Sequence, residues 1–177
     1  LPRDNPFLLV AESFSGPLAI KIASMQPNNL KALILCATFA ENPLPGLGWI
    51  HWGIRPWMFR VPAPEILLRY LLTGAKASNS LANQVRQIVR SVRPEAIASR
   101  LRLVLTADAA QAVILCPVPI LYLRATQDRL IGRQCAAQIL QLNPQARKVD
   151  IDAPHLLLQS EPEKAVAAIT AFCELLA

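Results

Sequence analysis

A serine, an aspartate and a histidine of this chain have the types and the order needed for nucleophilic catalysis. Ser13, Asp128 and His155 each come shortly after a short apolar run that is predicted to be a strand. A serine hydroxyl becomes a nucleophile when a histidine takes its proton and an acid orients that histidine. Parallel strands end at one edge of a sheet, where open α/β sheets bind their ligands. We therefore predict that these three side chains form one site.

The candidate nucleophile lies between a strand and a helix, in the run Ala11-Glu12-Ser13-Phe14-Ser15. A strained strand-to-helix turn raises a serine hydroxyl above the sheet, and the pattern of that turn is G-x-S-x-G. Ala11 and Ser15 replace the two glycines, although both residues are small. The alternative for this run alone is that Ser13 or Ser15 only caps the helix that follows.

The choice of base and acid is narrow because the chain has only two histidines. His51 lies among tryptophans, far from any predicted strand end, and is interpreted as packing or lining a substrate at most. Asp150 and Asp152 are rival acids, but both precede His155 by too few residues to come from a separate strand. Asp128 is therefore favoured, although taken alone it could be a turn former.

The strands and helices that must position these residues predict an α/β fold with a doubly wound parallel sheet. The four apolar runs do not alternate cleanly, which is typical of a sheet buried on both faces. They are Phe7–Ala11, Ala32–Cys36, Pro119–Leu123 and Arg147–Ile151. Helices are predicted from Pro17 to about Met25, from about Arg133 to Leu142, and from about Pro162 to Leu175.

Residues 41–103 interrupt this rhythm and are predicted to form a helical cap, with residues 1–40 and 104–177 as the core. Helical patterns there cover Pro64–Leu72, about Ser80–Val92, and Pro94 to about Asp108. The segment holds all three tryptophans. We predict that its aromatic residues line an apolar substrate pocket, with packing of the cap on the core as the alternative. These residues are Trp49, Trp52, Trp57 and Phe59.

The predicted cap is strongly basic, with nine Lys and Arg against three Asp and Glu. Arg86, Arg90 and Arg93 recur on one helix face, opposite an apolar stripe that runs from Leu81 to Val92. This row is either a solvated surface or a docking surface for an acidic partner. Nucleic acid fits poorly as a partner, because no aromatic residue interleaves with the arginines.

Composition points to a globular chain of 177 residues that is 53% hydrophobic, with a mean hydropathy of +0.33. Its apolar stretches are too short to span a membrane. Four cysteines without C-x-x-C spacing are interpreted as buried free thiols in a reducing cytoplasm. Two histidines and scattered cysteines offer little for a metal site.

The chain resembles the C-terminal part of an α/β-hydrolase of the ester-hydrolase type. The resemblance is carried by Leu9–Pro17, Leu121–Leu130 and Asp152–Leu158, and it covers essentially the whole chain. It implies that Ser13 is the nucleophile, His155 the general base and acid, Asp128 its orienter, and the Phe14 N–H an oxyanion donor. It further implies a small-molecule ester or thioester substrate with an apolar acyl part, an acyl-enzyme intermediate, and neither metal nor organic cofactor.

The basic cap also resembles that of the esterases that cleave pimeloyl-acyl-carrier-protein methyl ester, which implies an acidic acyl carrier protein as a partner. An alternative is a non-hydrolytic protein of the same fold that binds an acidic partner through the cap. Acyl transfer and perhydrolysis would use the same three residues, so the sequence does not separate them from hydrolysis.

The chain departs from the family in having counterparts for only the last four of its eight strands. A second oxyanion donor, which the family takes from a loop after its third strand, is therefore expected to lie outside these residues. We also expect a bare apolar edge at the first strand, which could promote self-association. Activity is accordingly expected for the full-length protein rather than for this chain alone.

Overall fold

Four parallel strands form the centre of the protein in a computed structural model that describes residues 2, 4–61, 63–74 and 77–176. The strands are β1 (Phe7–Glu12), β2 (Leu30–Cys36), β3 (Ile120–Ala125) and β4 (Arg147–Ile151). They pair in the order β1-β2-β3-β4, and every pair is parallel. The predicted parallel α/β sheet is confirmed, and each predicted strand lies within two residues of the observed one.

Eight α-helices connect and flank the strands in the described part of the chain. They are α1 (Gly16–Ser24), α2 (Glu65–Leu68), α3 (Asn79–Ser91), α4 (Pro94–Leu105), α5 (Ala110–Ile114), α6 (Arg133–Leu142), α7 (Leu157–Ser160) and α8 (Pro162–Glu174). Short-range signals set several of these ends. Proline lies in the first turn of α1, α4 and α8, where its missing N–H costs no hydrogen bond. The Ser78 side chain caps α3 by accepting the N–H of Leu81.

Both faces of the two central strands are covered, which explains why their sequences do not alternate. Leu33 and Leu35 of β2 pack into a cluster with Ile20 of α1 and Ile139 of α6. Ile34, which lies between them, packs into a second cluster on the opposite face with α7 and α8. The edge strand β1 behaves differently, because Leu8 and Val10 are 37% and 44% exposed. Whether this edge promotes self-association stays a prediction.

The segment from residue 41 to 103 contains the predicted helices, but two of them end differently. The third ends at Leu105 rather than near Asp108, because Asp108 leaves the helix to form an antiparallel bridge with Glu41. The first, predicted over Pro64–Leu72, is the short helix α2 followed by a π-helix over Arg69–Thr73. Two 3₁₀ turns, Gly48–Trp52 and Pro56–Phe59, were not predicted. The division into core and cap stays a prediction.

The four cysteines lie wholly or partly inside the protein. All four cysteines are free thiols; Cys36, Cys116 and Cys135 are buried, whereas Cys173 is only partly buried. Among the described residues, no helix has the length and apolar character that crossing a membrane requires.

Candidate active site

Ser13 lies in a strained turn at the carboxyl end of β1. Its φ angle is 55°, in the left-handed region that residues with a Cβ seldom adopt. The chain passes from β1 through a 3₁₀ turn, Ser13–Ser15, directly into α1. Such strain persists only when surrounding contacts hold it, and it concentrates at functional sites. The strained turn therefore needs supports, which its neighbours provide.

Three hydroxyl groups support the turn. The Ser15 hydroxyl accepts the backbone N–H of Glu12 and donates to the carbonyl oxygen of the same residue. The Thr38 hydroxyl donates to the Ser13 carbonyl oxygen. The Tyr122 hydroxyl donates in turn to the Thr38 carbonyl oxygen and accepts the Thr38 N–H. Ser15 thus has a structural use at a position where the common pattern has glycine.

The glycine that this turn requires is Gly16, one residue beyond the pattern. A Cβ at Gly16 would lie 2.7 Å from both Cβ and Cγ2 of Thr38, and closer still to its hydroxyl oxygen. Because Thr38 supports Ser13, this approach brings α1 and the end of β2 together at the nucleophile's backbone. Close approach, not a left-handed backbone, is the reason for glycine here, since Gly16 has a helical φ of −57°.

We expect Gly16→Ala to destabilise the protein by about 2 kcal/mol, because overpacking at a fixed contact typically costs about 1–3 kcal/mol. Urea unfolding followed by circular dichroism measures this change. Gly53→Ala is the matched control, since the nearest atom to its new Cβ is 3.5 Å away, an ordinary contact. Equal stability of the two variants would contradict the close approach.

The structure brings Ser13, His155 and Asp128 together in one chain of hydrogen bonds. The Asp128 Oδ2 lies 2.8 Å from His155 Nδ1, and because a carboxylate only accepts, Nδ1 is the donor. His155 Nε2 then accepts the Ser13 hydroxyl at 2.7 Å. The side chains of His155 and Asp128 are 3% and 2% exposed, so water competes little for these bonds. The arrangement can deprotonate the hydroxyl.

The second carboxylate oxygen of Asp128 is held by the backbone. Its Oδ1 accepts the N–H groups of Leu130 and Ile131 at 2.8 and 2.9 Å. These bonds close a turn directly after β3 and leave Oδ2 directed at the histidine. Asp128 is therefore a turn former and a partner of His155 at the same time, so the two interpretations made from the sequence are compatible.

The rival residues have other partners. Asp150 forms an ion pair with Arg124 at 2.7 Å, which lowers the pKa of the Asp150 carboxyl to about 2. Asp152 accepts hydrogen bonds from Thr126 and from the Gln127 amide. His51 donates from Nδ1 to the Gly48 carbonyl oxygen at 2.6 Å, within its own 3₁₀ turn.

A buried thiol also lies near the turn, since Cys36 pairs with Glu12 at the ends of β2 and β1. Burial, helped by the Glu12 charge, raises the pKa of the Cys36 thiol to about 12. The thiolate is the reactive form of cysteine, so the raised pKa disfavours Cys36 as a nucleophile at neutral pH.

The loops that carry Asp128 and His155 both contact the π-helix Arg69–Thr73. Arg129 donates to the Tyr70 carbonyl oxygen at 3.0 Å, and its guanidinium lies 3.9 Å from the centre of the Tyr70 ring. The Leu156 N–H donates to the Leu72 carbonyl oxygen at 3.0 Å. The two loops are therefore joined through this π-helix.

The predicted substrate-lining residues occupy two different environments. Trp49, Trp52 and Trp57 are 72%, 76% and 65% exposed, so these three do not pack into the core of the described structure. Phe59 is partly buried and packs against a small cluster that includes Ile54. Their role in binding a substrate stays a prediction.

The predicted arginine row is only partly free. Arg86 forms an ion pair with Glu65 at 2.8 Å and a hydrogen bond to Asn83, whereas Arg90 and Arg93 are exposed. Placing Arg93 on the same helix face was wrong: α3 ends at Ser91, and Arg93 has an extended backbone, which the Pro94 that follows it favours. The opposing apolar stripe is narrower than predicted, because Ile88 is 63% exposed. Binding of an acidic partner, such as an acyl carrier protein, by these arginines stays a prediction.

Phe14 lies beside an apolar cavity of about 260 Å³ that opens next to the turn. Its ring is 5.9 Å from the guanidinium carbon of Arg100. The cavity is also lined by Leu18 of α1, Phe39 after β2 and Leu103 of α4. An oxyanion role for the Phe14 N–H stays a prediction.

The sequence reasoning missed Thr38 and Tyr122. Thr38 follows the carboxyl end of β2, as Ser13 follows β1, so its place beside two strand ends was a usable signal. Tyr122 lies inside β3, where nothing local distinguishes it from a core residue, and only the fold brings its hydroxyl to Thr38.

Residues 2–169 match a family model described as the alpha/beta hydrolase family. No curated protein sequence matches the chain. Among solved structures, the chain is similar to a thermophilic esterase from Thermogutta terrifontis, at 22% identity and a TM-score of 0.79 over 97% of this chain and 65% of the other. It is also similar to an enol-lactonase from Burkholderia xenovorans LB400, at 18% identity and a TM-score of 0.81 over 96% of this chain and 66% of the other. The chain thus spans slightly less than two thirds of the length of either protein.

Proposed function

This chain belongs to the alpha/beta hydrolase family, and from that premise we propose that the whole protein is a serine hydrolase that cleaves carboxylic esters. The observation that carries the proposal is the hydrogen-bonded chain from Ser13 through His155 to Asp128, with Ser13 in a left-handed conformation. The order Ser, Asp, His along the chain is that of α/β-hydrolases.

In the proposed first half-reaction, the Ser13 Oγ attacks the ester carbonyl carbon while His155 Nε2 takes the hydroxyl proton. Asp128 stabilises the imidazolium that forms and keeps its ring in place. The oxygen of the tetrahedral intermediate carries the negative charge, and the Phe14 N–H is proposed as one of its donors. Collapse of the intermediate expels the alcohol, which takes the proton from His155, and leaves an acyl group on Ser13.

The second half-reaction repeats these steps with water as the nucleophile. His155 takes a proton from water, and the resulting hydroxide attacks the acyl carbon. Collapse breaks the bond to Oγ, His155 returns the proton to Ser13, and the carboxylic acid leaves. His155 returns every proton that it takes, and Asp128 exchanges none.

An apolar part of the substrate is proposed to bind beside the turn. The cavity of about 260 Å³ supports this, because most of its lining is apolar and it is lined in part by Phe14, the residue that follows Ser13. The similar structures are described as an esterase and an enol-lactonase, and both names denote cleavage of an ester bond. This likeness agrees with an ester substrate for the present protein.

Covalent labelling tests the proposal. The longest natural form of the protein is treated with a fluorophosphonate, and the adduct is located by mass spectrometry of its peptides. We expect one adduct, on Ser13, because only an activated serine hydroxyl attacks phosphorus at neutral pH. Ser24, which donates to the Lys21 carbonyl oxygen at the end of α1, is the internal control and should stay unlabelled. Labelling elsewhere, or none in a folded protein, would contradict the proposal.

A further inference from the structure

The sheet by itself does not bring Ser13 and His155 together. Ser13 follows β1 and His155 follows β4, which are the two outer strands of the order β1-β2-β3-β4. Three strand spacings separate β1 from β4, or roughly 14 Å. The segment after β4 must therefore cross the carboxyl edge of the sheet and be held beside the turn at Ser13.

Asp128 binds the His155 ring, and two of the contacts that hold the residues after His155 do not direct them at Ser13. The Leu157 side chain is fully buried in the core cluster that it shares with Ile34 and Phe172. Apolar burial is not directional, so it sets the depth of the segment more than its orientation. The Leu156 N–H donates to the Leu72 carbonyl oxygen, which belongs to the π-helix Arg69–Thr73 and not to the turn at Ser13.

Glu12 connects the residues after His155 to the turn at Ser13. Its carboxylate accepts the N–H of Leu158 at 3.0 Å and the side-chain amide of Gln159 at 2.9 Å. Leu158 lies in α7, where the first N–H groups have no partner within the helix. The backbone of Glu12 is itself held by the Ser15 hydroxyl, so the carboxylate is anchored to the turn.

We propose that Glu12 is a positioning residue, whose carboxylate holds the segment after His155 at the distance where Nε2 accepts the Ser13 proton. The inference rests on the proposed function. Glu12 immediately precedes the nucleophile, and its partners follow the base by three and four residues, so a single side chain links the two segments that carry the reacting hydrogen bond. Glu12 does not touch the substrate in this role; it acts through His155.

Steady-state kinetics with a p-nitrophenyl ester tests the proposal in the longest natural form of the protein. We expect Glu12→Ala to lower kcat about 10- to 100-fold with KM within about twofold, because a displacement of about 1 Å at a reacting pair can cost 10²-fold. Glu12→Gln keeps an oxygen for the Leu158 N–H, so it should recover kcat to within about threefold of the unaltered protein. Glu163→Ala, at an exposed residue of α8, is the matched control and should leave both constants unchanged.

The outcomes separate this inference from the proposed function. Unchanged kcat in Glu12→Ala, a change in KM alone, or equal losses in Glu12→Ala and Glu12→Gln would overturn the positioning role. If Glu12→Ala does not fold, Gln159→Ala replaces it, since it removes one of the two bonds, and a kcat equal to that of the unaltered protein would then overturn it. Turnover that survives Ser13→Ala would refute the proposed function instead.

Discussion

Replacing Ser13 by alanine in the longest natural form of the protein should lower kcat for a p-nitrophenyl ester about 10⁶-fold. Loss of a serine nucleophile from such a set of residues has an effect of this size in serine proteases. The proposed reaction has no other route to an acyl-enzyme, because His155 would have no hydroxyl to deprotonate. The remaining turnover should come only from substrate binding and from the groups that stabilise the oxyanion.

The control is Ser24→Ala, since Ser24 lies at the end of α1 and its hydroxyl binds only the backbone of its own helix turn in the described structure. Its kcat should equal that of the unaltered protein. The unfolding curves of both variants must agree with that of the unaltered protein, so that a loss of activity is not caused by unfolding. A Ser13→Ala protein that retains more than about a thousandth of the activity would refute an acyl-enzyme on Ser13.

Asp128→Asn should lower kcat about 10⁴-fold while leaving the fold intact. Asparagine fills the same volume, and its amide oxygen can still accept the N–H groups of Leu130 and Ile131. The amide nitrogen then faces His155 Nδ1 and donates to it, so the proton of the imidazole moves to Nε2. An Nε2 that carries a proton cannot accept one from Ser13, and the comparable change in a serine protease costs about this factor.

Stopped-flow measurement of the acylation rate with the same ester checks this prediction, because acylation begins with transfer of the Ser13 proton to an unprotonated Nε2. Asp150→Asn is the matched control: its carboxylate pairs with Arg124 and Lys148 on the sheet rather than with a histidine. Acylation in Asp150→Asn should stay within about twofold of the unaltered rate. A similar loss in both variants would mean that the charge of an acid near the sheet matters, and not the bond to His155.

Much of the fold was accessible from the sequence, because strands and helices depend on patterns a few residues long. Arg147–Ile151 and Arg133–Leu142 have the predicted bounds. The errors fall where a contact with a distant segment sets the end of an element. The helix that begins at Pro94 ends before Asp108, since Asp108 bridges to Glu41.

The sequence likewise identified only part of the candidate site. Ser13, Asp128 and His155 were identified from their types, order and places after strands, and all three meet in the structure. Their supports were not identified. Thr38 and Tyr122 act through hydroxyl groups that contact neighbouring strand ends; the place of Thr38 after β2 was a usable signal, whereas no local pattern marks Tyr122 for such a contact.

By itself, the sequence determined which residue types are available for chemistry and which strands carry them, because an apolar run and the turn after it are local properties. Only the tertiary structure decided that Gly16 is the glycine the turn requires, that Glu12 reaches Leu158, and that three tryptophans are exposed. Each of these depends on which segments, up to 146 residues apart, pack against one another. The physical reason is that side-chain contacts of this range arise from the folding of the whole sheet and its helices, whereas residue periodicity records only which face of its own element a residue lies on.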